Sequence, residues 1–125
     1  MTKSMEDYLE TVYLIIRDNK VARVKDVAER LGVKKPSVIT ALKELESRKL
    51  IVHEKYGYID LTDNGSKEAS LIYSRHVLLK SFLTELLGVP EEVAENEACS
   101  MEHVLSPETF VRLEGFIKTQ LSNPR

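Results

Sequence analysis

The chain of 125 residues has a single cysteine, Cys99, so no intramolecular disulfide is available and stability has to come from packing, association or a bound metal. Tryptophan is absent, and there are only five glycines and four prolines. So little glycine argues against loop-built catalysis. The chain has no Gly-rich phosphate cradle, no His-Glu-x-x-His run and no Gly-x-Ser-x-Gly elbow. No stretch approaches the roughly 20 apolar residues that cross a bilayer, and Met1 to Asp7 lacks the apolar core of a secretory signal. A cytoplasmic protein with no membrane contact and no enzymatic activity is the expectation. With 42% hydrophobic and 30% charged residues and a net charge of -2, the composition fits one globular unit or two small subdomains rather than disorder.

Charge is unevenly spread. Residues 1–60 carry 12 Lys and Arg against 10 Asp and Glu, whereas residues 61–125 carry 6 against 10. The basic residues concentrate between Arg17 and Lys49, a density suited to a surface that meets phosphates. In contrast, Glu91, Glu92, Glu95, Glu97 and Glu102 fall in a run without Lys or Arg, where a cation or solvent must relieve the repulsion.

Periodicity predicts a mainly α chain. Ser4 is placed to cap a first helix with Asp7 as its capping-box acid, and Met5, Leu9, Val12, Ile15 and Ile16 recur at helical spacing. Val24, Val27, Ala28 and Leu31 predict a short second helix ended by Gly32. Pro36 opens a third, with Val38, Leu42 and Leu45 along one stripe. Two short helices across a Gly-containing turn are a helix-turn-helix signature. Strand-like runs Leu50 to Glu54 and Tyr58 to Leu61 then flank Lys55, Tyr56 and Gly57, which makes a wing. Thr62 caps a long fourth helix, apolar enough toward Gly88 to suggest a partner subunit; Pro90 opens a fifth helix and Ser106 with Pro107 a sixth. The expected organisation is a winged helix-turn-helix domain over 1–62 and an all-helical domain over 63–125.

Lys34, Lys35, Pro36, Ser37 and Thr40 head the third helix, with Lys43 one turn on, where a recognition helix meets base edges and phosphates. Ser37 and Thr40 offer hydrogen bonds, Pro36 an apolar surface for a thymine methyl, and the lysines phosphate or guanine contacts. Lys55, Tyr56 and Tyr58 serve the wing. Winged helices also bind proteins, and Ser37 and Thr40 have an ordinary reading as capping and surface residues; the basic bias of the segment favours double-stranded DNA.

Cys99, Glu102 and His103 stand at i, i+3 and i+4, so thiolate, carboxylate and imidazole share one helix face within reach of one ion. Asp7 and Glu10 are likewise i and i+3 on the first helix, and His76 lies on the fourth, which offers a ligand set from three helices. Each residue alone has a structural reading: His76 as a surface residue, Asp7 as a partner of the helix dipole, Cys99 as a small buried apolar group. Spacing leaves metal binding and those readings both open.

The run Asn96-Glu97-Ala98-Cys99-Ser100-Met101-Glu102-His103-Val104-Leu105-Ser106 resembles the metal-binding segment of the iron- and manganese-dependent repressors, the diphtheria toxin repressor and manganese transport regulator family. Met5-Glu6-Asp7-Tyr8-Leu9-Glu10, Arg75-His76, and Val27-Ala28-Glu29-Arg30-Leu31 with Pro36-Ser37-Val38 resemble other landmarks of that family. The resemblance covers nearly the whole chain and implies a homodimeric repressor that binds palindromic operator DNA when Fe(II) or Mn(II) is bound, and so controls metal uptake. Co, Ni or Zn would substitute in vitro. It further implies that Asp7, Cys99, Glu102 and His103 form the principal site, with Glu10 and His76 contributing to a neighbouring one. Departures exist. The pairing of Asp7 with Cys99 mixes the manganese-sensing and iron-sensing patterns, with a slight lean to iron from the thiolate. Lys80 stands where many members carry a glutamate ligand, and Glu95 where the iron-sensing branch has histidine. The expected type is the short, two-domain one. A metal-independent or small-molecule-responsive winged-helix regulator would share the first 60 residues and is the alternative.

Overall fold

The computed structural model describes residues 1–54 and 57–122. Its six α-helices and three short strands divide into two compact units, Met1–Ile72 and Tyr73–Arg125. The compact units meet inside the fourth helix, where Ala69 and Ile72 in its first half pack into the core of the first unit.

The first unit runs α1 (Lys3–Asn19), β1 (Ala22–Arg23), α2 (Val24–Leu31), α3 (Lys35–Ser47), β2 (Ile51–His53), β3 (Tyr58–Leu61) and the start of α4 (Asp63–Ser81). Thr2 rather than Ser4 caps α1: its hydroxyl accepts from Met5 N at 3.2 Å, so the helix starts two residues earlier than the Ser4 reading allows. Leu9, Val12 and Ile15 of α1, Val27 of α2 and Val38, Leu42 and Leu45 of α3 are each no more than 2% exposed and form one core, as their three- and four-residue spacing requires. Gly32 ends α2 with φ +67°, its N–H bonded to Ala28 O; the left-handed cap that glycine adopts without strain turns the chain into α3.

The sheet has strand order β1-β3-β2, all antiparallel. The β2–β3 pair is the expected wing. β1 is a two-residue addition whose Ala22 and Arg23 face Ile59 and Tyr58, too short to leave a periodic signal in the sequence.

The sheet leads into α4 through a tight junction. The Thr62 hydroxyl donates to Lys49 O at 2.6 Å and accepts from Gly65 N at 3.0 Å, while Thr62 N donates to Leu50 O at 3.1 Å. A Cβ at position 65 would stand 1.7 Å from Leu50 O, so only glycine permits this approach.

The second unit contains the end of α4, a π-helical turn at Phe82–Leu86, α5 (Glu91–Val104) and α6 (Pro107–Ser122). Leu79, Leu83, Ala94 and Ala98 form its buried centre, with Phe82, Met101, Phe110 and Leu113 packed against it. α6 is capped by Ser106, whose hydroxyl accepts from Thr109 N at 3.1 Å. No helix among the described residues is long and apolar enough to cross a membrane.

Candidate metal centre and nucleic-acid interface

On α5, Ala94 and Ala98 point into the core of the second unit, and the neighbouring face carries Cys99, Glu102 and His103. One sulfur, one carboxylate oxygen and one ring nitrogen of these three lie within 4.8 Å of one another. Ligands at about 2.0–2.3 Å from a common ion stand no more than about 4.6 Å apart, so the cluster already has nearly the size of a coordination sphere. The Glu102 side chain is only 1% exposed, with His103 Nε2 3.3 Å from one oxygen and His76 Nδ1 3.7 Å from the other. Burial of a carboxylate is costly unless cationic or hydrogen-bonding groups compensate it. A buried acid between two imidazoles with a thiol beside it is a donor set of mixed softness that fits a divalent transition ion.

His76 bridges this cluster to a second one. Its Nε2 contacts Glu95, whose other oxygen accepts from Lys80 Nζ at 3.3 Å; Lys80 also donates to Glu91 at 3.2 Å. The hydrogen bond to Glu91, then that to Glu95, raises the Lys80 pKa above its ordinary value, so its ammonium stays charged throughout the neutral range. The sequence marked His76 and Glu95 individually; that Lys80 stands between Glu91 and Glu95 depends on how α4 meets α5, and no local pattern carries it. Asp7 and Glu10 belong to the first unit, one turn apart on α1, where Lys3 Nζ lies 3.4 Å from Asp7.

The other expected surface lies on α3. Val38, Ala41, Leu42 and Leu45 are buried, which leaves Lys34 at the cap and Lys35, Pro36, Ser37, Thr40 and Lys43 exposed. The Thr40 hydroxyl donates to Pro36 O at 3.1 Å, and its oxygen can still accept. An open cavity of about 540 Å³ is lined by Lys25, Glu29, Val33, Lys34, Lys35 and Pro36. Ile39 shares the exposed part of α3, at 40% exposure, and sequence reading passed over it as an apolar residue among polar ones. Arg23 was also missed: its Nη2 donates to Tyr58 Oη at 2.6 Å and its guanidinium stands 4.6 Å from that ring, which ties β1 to the base of the wing. Lys55 and Tyr56 lie outside the described residues.

A winged helix-turn-helix with basic side chains along its second helix, joined to a helical unit holding a thiol, a carboxylate and imidazoles in one cluster, is the architecture of a metal-binding transcriptional regulator rather than of an enzyme. Two family models match the chain, the iron dependent repressor N-terminal DNA binding domain over residues 1–59 and the iron dependent repressor metal binding and dimerisation domain over 62–125. The chain belongs to the iron dependent repressor family. It is 39% identical over 119 residues to an HTH-type transcriptional regulator of Methanocaldococcus jannaschii, covering 94% of this chain and 95% of that one. With the HTH-type transcriptional regulator MntR of Lysinibacillus sphaericus it shares 37% identity over 123 residues, 98% of this chain and 88% of the relative. The crystal structure of the metal-dependent transcriptional regulator MtsR superposes with a TM-score of 0.85 at 31% identity, covering 94% of this chain and 55% of that one. The chain thus spans about half the length of that solved relative and nearly all of the two regulators.

Proposed function

We propose that the protein is a cytoplasmic, metal-activated repressor of metal-homeostasis genes that binds palindromic operator DNA as a homodimer. The convergence of Cys99, Glu102 and His103 on α5, in the part of the chain matched by a metal binding and dimerisation domain, carries the reading. Asp7 of α1 is the proposed fourth side-chain ligand, with Glu10 beside it. When bound, Fe(II) or Mn(II) supplies two positive charges to acids that otherwise repel one another. Glu102 and His103 hold the ion from α5, Cys99 adds a thiolate that favours Fe(II) over Mn(II), and Asp7 and Glu10 supply harder oxygen. With that repulsion offset, Asp7 draws α1 toward α5 and the two recognition helices of the dimer adopt a spacing that matches successive major grooves. Lys34, Lys35 and Lys43 contact phosphate, Ser37 and Thr40 base edges, and Lys55 and Tyr56 the flanking groove.

Anaerobic fluorescence-anisotropy titration at fixed salt, with and without Fe(II) or Mn(II) and with a chelator control, tests this on a duplex selected from a random library by the metal-loaded protein. Metal-dependent, chelator-reversible binding is expected. Chelator-insensitive binding would leave a metal-independent winged-helix regulator.

A further inference from the structure

Glu91 and Glu95 stand one turn apart near the start of α5, and like charges at that spacing repel. Their repulsion is met from α4: Lys80 Nζ lies 3.2 Å from Glu91 and 3.3 Å from Glu95, so one ammonium serves both acids. The second oxygen of Glu95 contacts His76 Nε2, and His76 Nδ1 is buried without a hydrogen-bond partner, 3.7 Å from Glu102. Lys80, Glu91, Glu92, Glu95 and Asn96 line an open cleft of about 520 Å³, which an ion from solution can enter. Without the ammonium, this place would offer two carboxylates and an imidazole, a hard set suited to a divalent ion.

We propose that Lys80 is the resident cation of this cleft: its ammonium occupies the carboxylates that a second ion would need and holds Glu95 on His76, so the chain takes one divalent ion rather than two. The inference rests on the reading of Cys99, Glu102 and His103 as ligands of that one ion. A covalently tethered charge cannot be removed by dilution or by a chelator, and it repels an incoming divalent ion while offsetting one of the two negative charges of Glu91 and Glu95. Arginine at this position would preserve the charge; an aliphatic residue would leave two neighbouring acids uncompensated.

Equilibrium dialysis of the whole chain against Mn(II) without oxygen, followed by elemental analysis, measures ions per chain. The wild type is expected to retain one and Lys80→Leu two, with Lys80→Arg remaining at one. Lys80→Leu/Glu95→Gln is expected to return to one, because the added ion has lost a carboxylate. If Lys80→Leu loses its helical circular dichroism, Lys80→Gln takes its place in the comparison. Two ions on the wild type, one on a folded Lys80→Leu or Lys80→Gln, or a second ion that survives in the double variant would each overturn the inference while leaving the functional reading intact. No ion on any variant would overturn the functional reading and this inference with it.

Discussion

Gly65→Ala separates two opposed effects at the junction of wing and α4. Alanine within a helix is favoured over glycine by up to about 1 kcal/mol, so a helix that ran clear of its neighbours would gain stability. Here the added Cβ would lie 1.7 Å from Leu50 O, half the 3.4 Å at which ordinary contact begins. The obstacle is backbone, with no flexible side chain to swing aside. Separation of the two segments stretches the two hydrogen bonds that join them, Thr62 N to Leu50 O at 3.1 Å and Thr62 Oγ1 to Lys49 O at 2.6 Å. At about 1 kcal/mol each, their loss outweighs the helix gain and leaves a net destabilisation of about 1 kcal/mol. For a chain of this size each kcal/mol corresponds to about 3–5 °C, so the midpoint of thermal unfolding should fall by about that much. Circular dichroism melts of the metal-free protein measure this. An unchanged or raised midpoint would refute the close approach of α4 to the start of β2.

Glu102→Ala and His103→Ala should each abolish metal-dependent DNA binding while the dimer persists in sedimentation; metal-dependent binding retained by both variants would remove the ligand assignment. Cys99→Glu exchanges a soft donor for a hard one and should lower the Fe(II)-to-Mn(II) affinity ratio, by about 10-fold or more if the thiolate sets the preference; an unchanged ratio in competition dialysis would refute that role. Lys35→Ala should weaken binding to all duplexes alike and flatten the slope of log K against log salt by about 1, and an unaltered slope would exclude a phosphate contact.

Much of the fold was legible because it rests on local signals. The apolar stripes of α1, α2 and α3, the turn at Gly32 and the caps at Thr62 and Ser106 lie within a few residues of what they determine. Where the reading slipped, a longer-range or competing signal was at work. Thr2 and Ser4 both carry hydroxyls near the same helix start, and a two-residue choice between them depends on backbone geometry. β1 exists only because Ala22 and Arg23 meet Ile59 and Tyr58 across the sheet. The π-helical turn at Phe82–Leu86 continues an apolar helical run with no breaker to announce it. The proposed metal cluster divides in the same way. The spacing of Cys99, Glu102 and His103 on α5 is a helix-face relation readable from the chain, whereas the contacts of His76 with Glu95 and Glu102, and of Lys80 with Glu91 and Glu95, depend on the packing of α4 against α5.

The proposed switch links metal and DNA binding through one equilibrium. Measurement of the duplex dissociation constant with and without saturating Mn(II), and of the Mn(II) dissociation constant with and without saturating duplex, closes a thermodynamic cycle around the same protein. The two ratios are expected to be equal and well above 1, in the range of about 5- to 150-fold or greater that linked sites show. Ratios of 1 on both sides, with Mn(II) and duplex each binding tightly, would contradict the switch.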